Sequence, residues 1–475
     1  MPITPGTVAR LRAAVGTDFV LDQPIERQLY AKDAGLRRNP VSLVVLPATT
    51  GEVVEVLRIA AEEGLDVVPR GGGSGLTGGA VPTGESLVVA VTRMNRIHEV
   101  DEQNRTAWVG PGVINLDLST HTAPLDLHFA PDPSSQSVCT IGGNVGNNAG
   151  GPHCLAEGST HAHVLGVELV LPDGDVVVLG GAAPDLPGLD LRGVVVGSEG
   201  TLGIVTRVLV RLTPNPPDVR TLLISFDRMA DAMATVSGVI REGVVPAALE
   251  VMDRNTLRVV EGFLHAGLPQ VEGVLLAEVT GTTEAVDAEA AVVRRVAEAN
   301  GASDVRLAAD EEERATLWLG RKAAFGAVAQ LAPDFYLHDT VVPRTRLVEV
   351  MERVTEIGER YGLTLMNVFH AGDGNLHPIM GFDLSEPGTE ERVQQAGREI
   401  VEACFDAGGA LSGEHGIGTE KRAFMTRVFG EADLDAQARV REAFDPEGRM
   451  NPGKVLPEGS RCADLGRPLP EGGWV

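Results

Sequence analysis

Pro69-Arg70-Gly71-Gly72-Gly73-Ser74-Gly75-Leu76 is the stretch whose context decides the fold. A helix and a strand precede it. Thr49 and Glu52 have capping-box spacing, and Val53, Leu57 and Ala60 then fall on one helical face. Gly64 ends that helix, and Leu65-Asp66-Val67-Val68 reads as a strand. Pro82 and Gly84 follow the glycines, then a second strand at 87–91, with no helical stripe between. A Rossmann fingerprint needs its glycines after a strand and at the opening of a helix, so that reading is disfavoured. A glycine run can still cradle a phosphate, because free backbone N–H groups form an anion-binding nest without a helix. The alternative for the run alone is an ordinary surface loop.

Outward from this loop, the chain has the length and composition of a soluble globular protein with two or three domains. It has 475 residues, 43% apolar and 22% charged. No apolar run reaches the ~18 residues that would span a bilayer, and the first residues lack the pattern of a signal peptide. The formal charge of −26 argues against nucleic-acid binding, which needs clustered Lys and Arg. The cysteines at 139, 154, 404 and 462 form no Cys-x-x-Cys pair, so cysteine-held iron–sulfur or zinc sites are not expected within the chain. A reduced, cytoplasmic compartment is expected.

Further along, residues 165–171, the turn Pro172-Asp173-Gly174 and residues 175–179 read as a hairpin. The texture changes at Pro214-Asn215-Pro216-Pro217. Strands at 220–226, 247–251 and 273–279 then alternate with helical stretches at 228–242 and 284–299. That pattern predicts an α+β domain with a mainly antiparallel sheet and helices on one face.

Two more concentrations of glycine and small polar residues follow the first loop. One is Pro131-Asp132-Pro133-Ser134-Ser135 with Thr140-Ile141-Gly142-Gly143-Asn144 and Asn147-Asn148-Ala149-Gly150-Gly151. The other is Gly197-Ser198-Glu199-Gly200-Thr201-Leu202-Gly203-Ile204-Val205. With these three in order, from about residue 20 to Lys454, the chain resembles the flavoproteins with a p-cresol methylhydroxylase or vanillyl-alcohol oxidase type FAD domain. Within them it is most similar to glycolate oxidase FAD-binding subunits and D-lactate dehydrogenases. The resemblance implies that Arg70, Gly71, Gly72, Gly73, Ser74, Gly75 and Leu76 wrap the FAD pyrophosphate. Pro131, Asp132, Ser134, Thr140, Gly142, Gly143 and Asn144, with Asn147 and Gly150 in the same cluster, would border the flavin ring and ribityl chain. Glu199, Gly200, Gly203, Ile204 and Val205 would lie along the adenine side, and Asn451 in the Asn-Pro-Gly-Lys tail would return to the flavin. The resemblance links a covalent flavin to a histidine in the glycine loop; this loop holds none, so the FAD is expected to be non-covalent.

A second constellation is Phe369-His370-Ala371-Gly372-Asp373-Gly374-Asn375-Leu376-His377-Pro378, followed by Gly413-Glu414-His415-Gly416-Ile417-Gly418. Residues 363–369 read as a strand, and Gly372 and Gly374 rule out a helix, so the two histidines can converge across a tight loop. Two imidazoles and a carboxylate suit a three-ligand site with an open position. A lone histidine is more often a core or surface residue; four such groups in glycine-rich segments shift that balance. The resemblance implies a divalent metal on His370, His377 and Glu414, with zinc the expected ion, and His415 as the base. Asn375 is grouped with the catalytic residues. A purely structural His415 is the alternative, and some relatives work without a tightly held metal.

The chemistry explains the residue types. Oxidising an alcohol to a ketone removes a hydride, which FAD can accept at N5, and a proton, which the protein must handle. A bound divalent ion lowers the pKa of coordinated water from about 15.7 to about 7; a similar shift of a substrate hydroxyl is worth roughly 10 kcal/mol. A base such as His415 is worth about 10²–10⁴-fold. For the substrate carboxylate, Arg321 in Trp318-Leu319-Gly320-Arg321-Lys322 offers guanidinium geometry, with Tyr336 as a hydrogen-bonding partner. The alternative for Arg321 is a solvated helix face. The resemblance links a lysine near 336–338 to larger substrates, and its absence favours a monocarboxylate.

The expected architecture is therefore an α+β protein. It has a p-cresol methylhydroxylase-type FAD-binding domain at 1–215, an α+β substrate (cap) domain with an antiparallel sheet at 216–415, and a C-terminal segment at 416–475 returning to the FAD domain. The expected activity is oxidation of a small D-2-hydroxy acid, glycolate first and D-lactate second. The alternatives are a D-2-hydroxyglutarate-type dehydrogenase, a metal-dependent hydrolase and a non-catalytic flavin-binding subunit. Companion subunits, one carrying iron–sulfur clusters, a quinone or a cytochrome would take the electrons. Homo-oligomerisation and peripheral contact with the inner membrane surface are compatible with these features.

Overall fold

Thr49 begins the helix Thr50–Glu62 by accepting from Glu52 N at 3.2 Å, while Glu52 Oε2 accepts from Ala48 N at 2.7 Å. Its buried face, Val53, Val56, Leu57, Ile59 and Ala60, packs on a four-stranded sheet. The strand order is Val20–Leu21, Leu43–Val45, Ser86–Ala90, Asp66–Arg70, with the last three parallel. The glycine loop thus leaves the end of the edge strand Asp66–Arg70. The C-terminal segment adds to that edge: Val67 N donates to Arg449 O at 2.9 Å and Asn451 N to Val67 O at 2.7 Å. The computed structural model describes residues 3–183 and 187–457, and Cys462 lies outside them.

Contacts divide the chain into two compact units. The first takes the residues up to Gly150, Ser159–Asn215 and the segment from Glu414 onward. Its second sheet is antiparallel, in the order Ile97–Asp101, Thr106–Val109, Ile204–Arg211, Val164–Val170, Val176–Gly180. One expected loop is a helix. Ile141–Asn147 starts at Thr140, whose hydroxyl accepts from Gly143 N at 3.2 Å, and ends at Asn148 in the left-handed region. Three glycines in seven residues argue against a helix from propensity. Here Ile141 and Val145 bury one face, and a Cβ on Gly142 would run into Pro111. Close approach, not flexibility, explains that glycine.

The second unit holds Gly151–Gly158 and Pro216–Gly413. Its antiparallel sheet runs Ala302–Leu307, Asp218–Phe226, Gly273–Gly281, Ala248–Asp253, Thr364–His370, Asn375–Leu376, Thr340–Val341, and Pro378–Phe382 joins Thr364–His370 to Asp334–Leu337. The expectation of helices on one face is corrected: they cover both. Val274 and Leu276 pack with Leu257, Val260, Leu317 and Trp318 from the helices Arg254–Leu264 and Glu311–Ala327. Gly273, on the opposite face, lies against Met229 of the helix Met229–Arg241. The central strands are buried almost continuously, as a sheet covered on both sides requires. No helix among the described residues is long and apolar enough to cross a membrane.

Candidate active site

In the first unit the three glycine-rich segments meet. A Cβ on Gly71 would strike the Thr140 hydroxyl and Gly143, and one on Gly72 would strike the Val138 carbonyl, so the loop lies directly on the second segment. The third joins them, as Gly197 N donates to Val145 O at 2.9 Å and Glu199 N to Gly146 O at 2.7 Å. Among the described residues, no hydrogen bond leaves the backbone N–H of Gly72, Gly73, Ser74, Gly75 or Leu76. Five amides that donate to nothing among the described residues suit an anionic, hydrogen-bonding dinucleotide.

The remaining cofactor candidates of this unit take varied positions. The Arg70 side chain turns inward, donating to Lys32 O at 2.8 Å under the Tyr30 ring; burial lowers its pKa, against the pull of Asp33. Pro131 is buried, Asp132 partly buried and Ser134 exposed. Asn147 Nδ2 donates to Glu414 O at 2.6 Å, and Gly150 is buried. Glu199 accepts from Ile417 N and Gly418 N at 2.7 and 2.8 Å; burial raises its carboxyl pKa, against these two bonds. Gly200 packs on Pro69 and Gly203 on Val170 and Leu169, while Ile204 and Val205 pair with Val170 and Leu169 in the sheet. Asn451 Nδ2 bonds Gly79 O at 2.8 Å and Glu199 O at 2.7 Å, so its amide ties two of the segments together. His415 Nε2 lies 3.6 Å from Glu414 Oε1, and its carbonyl accepts from Thr77 Oγ1 at 3.2 Å.

Lys454, read in sequence only as the end of a tail motif, is fully buried and donates to Val81 O. Burial pushes its pKa down to about 7, with Glu199 and Asp33 opposing. A lysine in the Asn-Pro-Gly-Lys turn is the only sequence signal for this anchor.

In the second unit, the Asp373 carboxylate accepts from Asn375 N at 3.2 Å, and Gly374 adopts φ 80° where a Cβ would meet Val342 O. This turn pairs His370 with Asn375 and returns the chain through His377. The His370 and His377 rings stand edge to face, 5.1 Å between centroids, and both are buried. His370 Nδ1 lies 2.7 Å from Glu250 Oε1. Glu250 Oε2 in turn accepts from Arg321 Nε at 2.6 Å. Arg321 is therefore buried and paired; the solvated-face alternative is excluded. Tyr336 is buried, edge-on to His338 at 4.7 Å. Asn375 is buried against Gly413, and its Oδ1 has no partner among the described residues.

Sequence reasoning missed Glu250 and also Asp339, which accepts from Ser412 Oγ at 2.6 Å and Gly413 N at 2.9 Å and lies 3.7 Å from His377 Nε2. The two imidazoles with carboxylates behind them have the donor chemistry of a divalent-metal site, where an outer carboxylate fixes the ligand tautomer. Glu414, the third expected ligand, follows Gly413 directly in the chain and belongs with His415 to the first unit.

The family described as FAD binding domain matches residues 41–180, and the one described as FAD linked oxidases, C-terminal domain, matches residues 215–455. The chain is 44% identical to the glycolate oxidase subunit GlcD of Escherichia coli (strain K12), over 90% of this chain and 86% of that one. It is 38% identical to the GlcD of Bacillus subtilis (strain 168), over 97% and 98%, and 34% identical to a D-lactate dehydrogenase of Archaeoglobus fulgidus, over 87% and 91%. Among solved structures, a p-cresol methylhydroxylase with substrate bound shares the fold at TM-score 0.80, with 19% identity over 96% of this chain and 99% of that one. A 4-ethylphenol oxidase from Gulosibacter chungangensis does so at 0.79, with 19% identity over 95% and 97%. With a glycine loop whose amides 72–76 donate to nothing among the described residues, set against two further glycine segments, and this similarity over nearly the whole length, the chain belongs to the FAD-linked oxidase family and is an FAD-dependent oxidoreductase.

Proposed function

We propose that the protein oxidises a small D-2-hydroxy acid, glycolate first and D-lactate second, to the 2-oxo acid. The carrying observation is that Glu250 joins the buried His370 imidazole to the buried Arg321 guanidinium, with the His377 ring edge to face on His370, in a chain 44% identical to a glycolate oxidase subunit. Bound FAD supplies a hydride acceptor at N5, and a divalent ion on His370, His377 and Glu414, zinc first, would acidify the substrate hydroxyl.

The chain's own residues do the rest. Arg321 receives the substrate carboxylate, with Tyr336 and Asn375 as hydrogen-bonding partners. His415 accepts the hydroxyl proton at a ring nitrogen. In the FAD-binding unit, the loop amides of residues 71–76 hold the diphosphate, and Asn451 holds the surrounding loops. Electrons leave to a companion subunit carrying iron–sulfur clusters, or to a quinone or cytochrome, from a cytoplasmic protein that can lie against the inner membrane.

An anaerobic absorbance spectrum with glycolate, D-lactate and L-lactate added in turn tests this reading. Bleaching of the flavin band by glycolate or D-lactate but not by L-lactate is expected. No bleaching by either, in protein that carries FAD, would refute it.

A further inference from the structure

Glu250 is a carboxylate where the surrounding strand is apolar. It sits inside Ala248–Asp253, fully buried, on the face of the sheet that the helix Glu311–Ala327 covers. The antiparallel pairing sets Glu250 directly opposite His370. Its two oxygens take three donors. Oε1 meets His370 Nδ1 at 2.7 Å, and Oε2 meets Arg321 Nε and Nη2, each at 2.6 Å. A buried carboxylate is costly unless every partner stays in place. Docking of the helix does not require this one. Glu278, on the same face, already receives Arg314 and Trp318 from the preceding turns.

We infer that Glu250 is the positioning residue of the oxidation site, one carboxylate that fixes both the imidazole of His370 and the guanidinium of Arg321. This rests on the hydroxy-acid reading above. By accepting the Nδ1 proton it selects the tautomer whose lone pair is on Nε2, and it makes that nitrogen a better donor to a metal ion. On Arg321 it occupies the Nε/Nη2 edge. No hydrogen bond from Nη1 is found among the described residues, so the Nη1 end is the one left to meet a substrate carboxylate. The distance between the anion-holding group and the metal-holding group is thereby set through a single side chain.

The test uses the full chain with FAD bound, as the parent, as Glu250→Gln, and as Glu250→Met/Arg321→Met. The double variant removes the ion pair as a unit and replaces it with apolar side chains of similar volume, a change that buried pairs often tolerate. With isotope-labelled histidine and metal removed by chelation, the parent should show a strongly deshielded imidazole N–H proton, assigned by its loss in His370→Gln. That proton should move upfield in Glu250→Gln and vanish in the double variant. Zinc affinity by equilibrium dialysis should fall about 10–100-fold in both, and KM for glycolate should rise about tenfold in Glu250→Gln with kcat less affected and flavin content unchanged. An imidazole proton at the parental position together with zinc affinity within twofold of the parent would overturn the inference. If no D-2-hydroxy acid bleaches the parent flavin, the reading beneath falls instead. The imidazole proton still decides the role of Glu250, even in a protein that binds no zinc.

Discussion

Replacing Glu278 with alanine should unfold the second unit at a markedly lower temperature. The carboxylate accepts from Thr221 Oγ1 at 2.6 Å, Trp318 Nε1 at 2.7 Å, and Arg314 Nε and Nη2 at 2.9 and 3.0 Å. His153 Nε2 lies 3.5 Å away, its ring stacked on Trp318 at 5.4 Å. Arg314 is partly exposed and can turn to solvent and Glu311, so its loss falls at the low end for a broken pair. Thr221 and Trp318 are buried, and each stranded donor costs about 1–3 kcal/mol. With about 3 kcal/mol for the pair, the sum is about 5–9 kcal/mol, a large share of the ~5–15 kcal/mol that holds a domain together. For a unit of about 200 residues, at 2–4 °C per kcal/mol, the melting point should drop by roughly 10–36 °C.

Glu278→Gln, which keeps one acceptor but not the charge, should lose about half as much. Burial alone would raise the Glu278 pKa, but the bonds from His153 and Arg314 outweigh it and hold the carboxyl below the usual carboxylate range. A group with a depressed folded pKa stabilises fully above its unfolded value and loses that contribution as pH falls through the folded one. The gap between parent and Glu278→Gln should therefore be constant from neutrality down to about pH 4.5 and narrow only in stronger acid. Calorimetry, with Trp318 fluorescence as a local probe, measures both. An alanine variant that melts within 2 °C of the parent would falsify the reasoning.

Three further outcomes are expected. Gly72→Ala drives a methyl into the Val138 carbonyl, so flavin affinity, read from absorbance after gel filtration, should fall about tenfold or more with the second unit still folded. His415→Ala should slow dye-coupled turnover by about 10²–10⁴-fold with flavin content unchanged, and full activity would restrict this histidine to a structural role. Lys454, at 10.5 in the unfolded chain and about 7 when folded, leaves the unfolded state holding more protons between those values. Stability of the first unit should rise with pH across that window, and urea titrations of Lys454→Met should show a flatter slope.

The parts that could be read in the sequence are local. The helix at Thr50, the strand before the glycines, the 164–180 hairpin and the strand that ends at His370 announce themselves by capping, periodicity and turn residues. The helix Ile141–Asn147 does not, because Gly142 is there for contact with Pro111, which is remote in sequence from the standpoint of propensity. Lys454 is similar: its burial depends on Val81, Asp33 and Glu199, and no window of sequence contains them together.

Glu250 and Glu278 had a signal, however, of a different kind. Ala-Leu-Glu-Val-Met and Leu-Ala-Glu-Val-Thr each place one charge in a strand with no polar alternation around it. A strand buried on one face alternates; a run that is apolar on both sides of the pleat is covered on both faces, so its lone carboxylate must find a buried cation. The donors also follow a rule: Arg314, Trp318 and Arg321 are spaced four and three residues apart, one stripe of a helix. A stripe with two arginines and an indole matches two strands with one glutamate each, and that match alone docks this helix and brings Arg321 to the strand beside His370. Periodicity searches miss it because they look for where charge is absent, whereas here the site is marked by charge that has no other place to go.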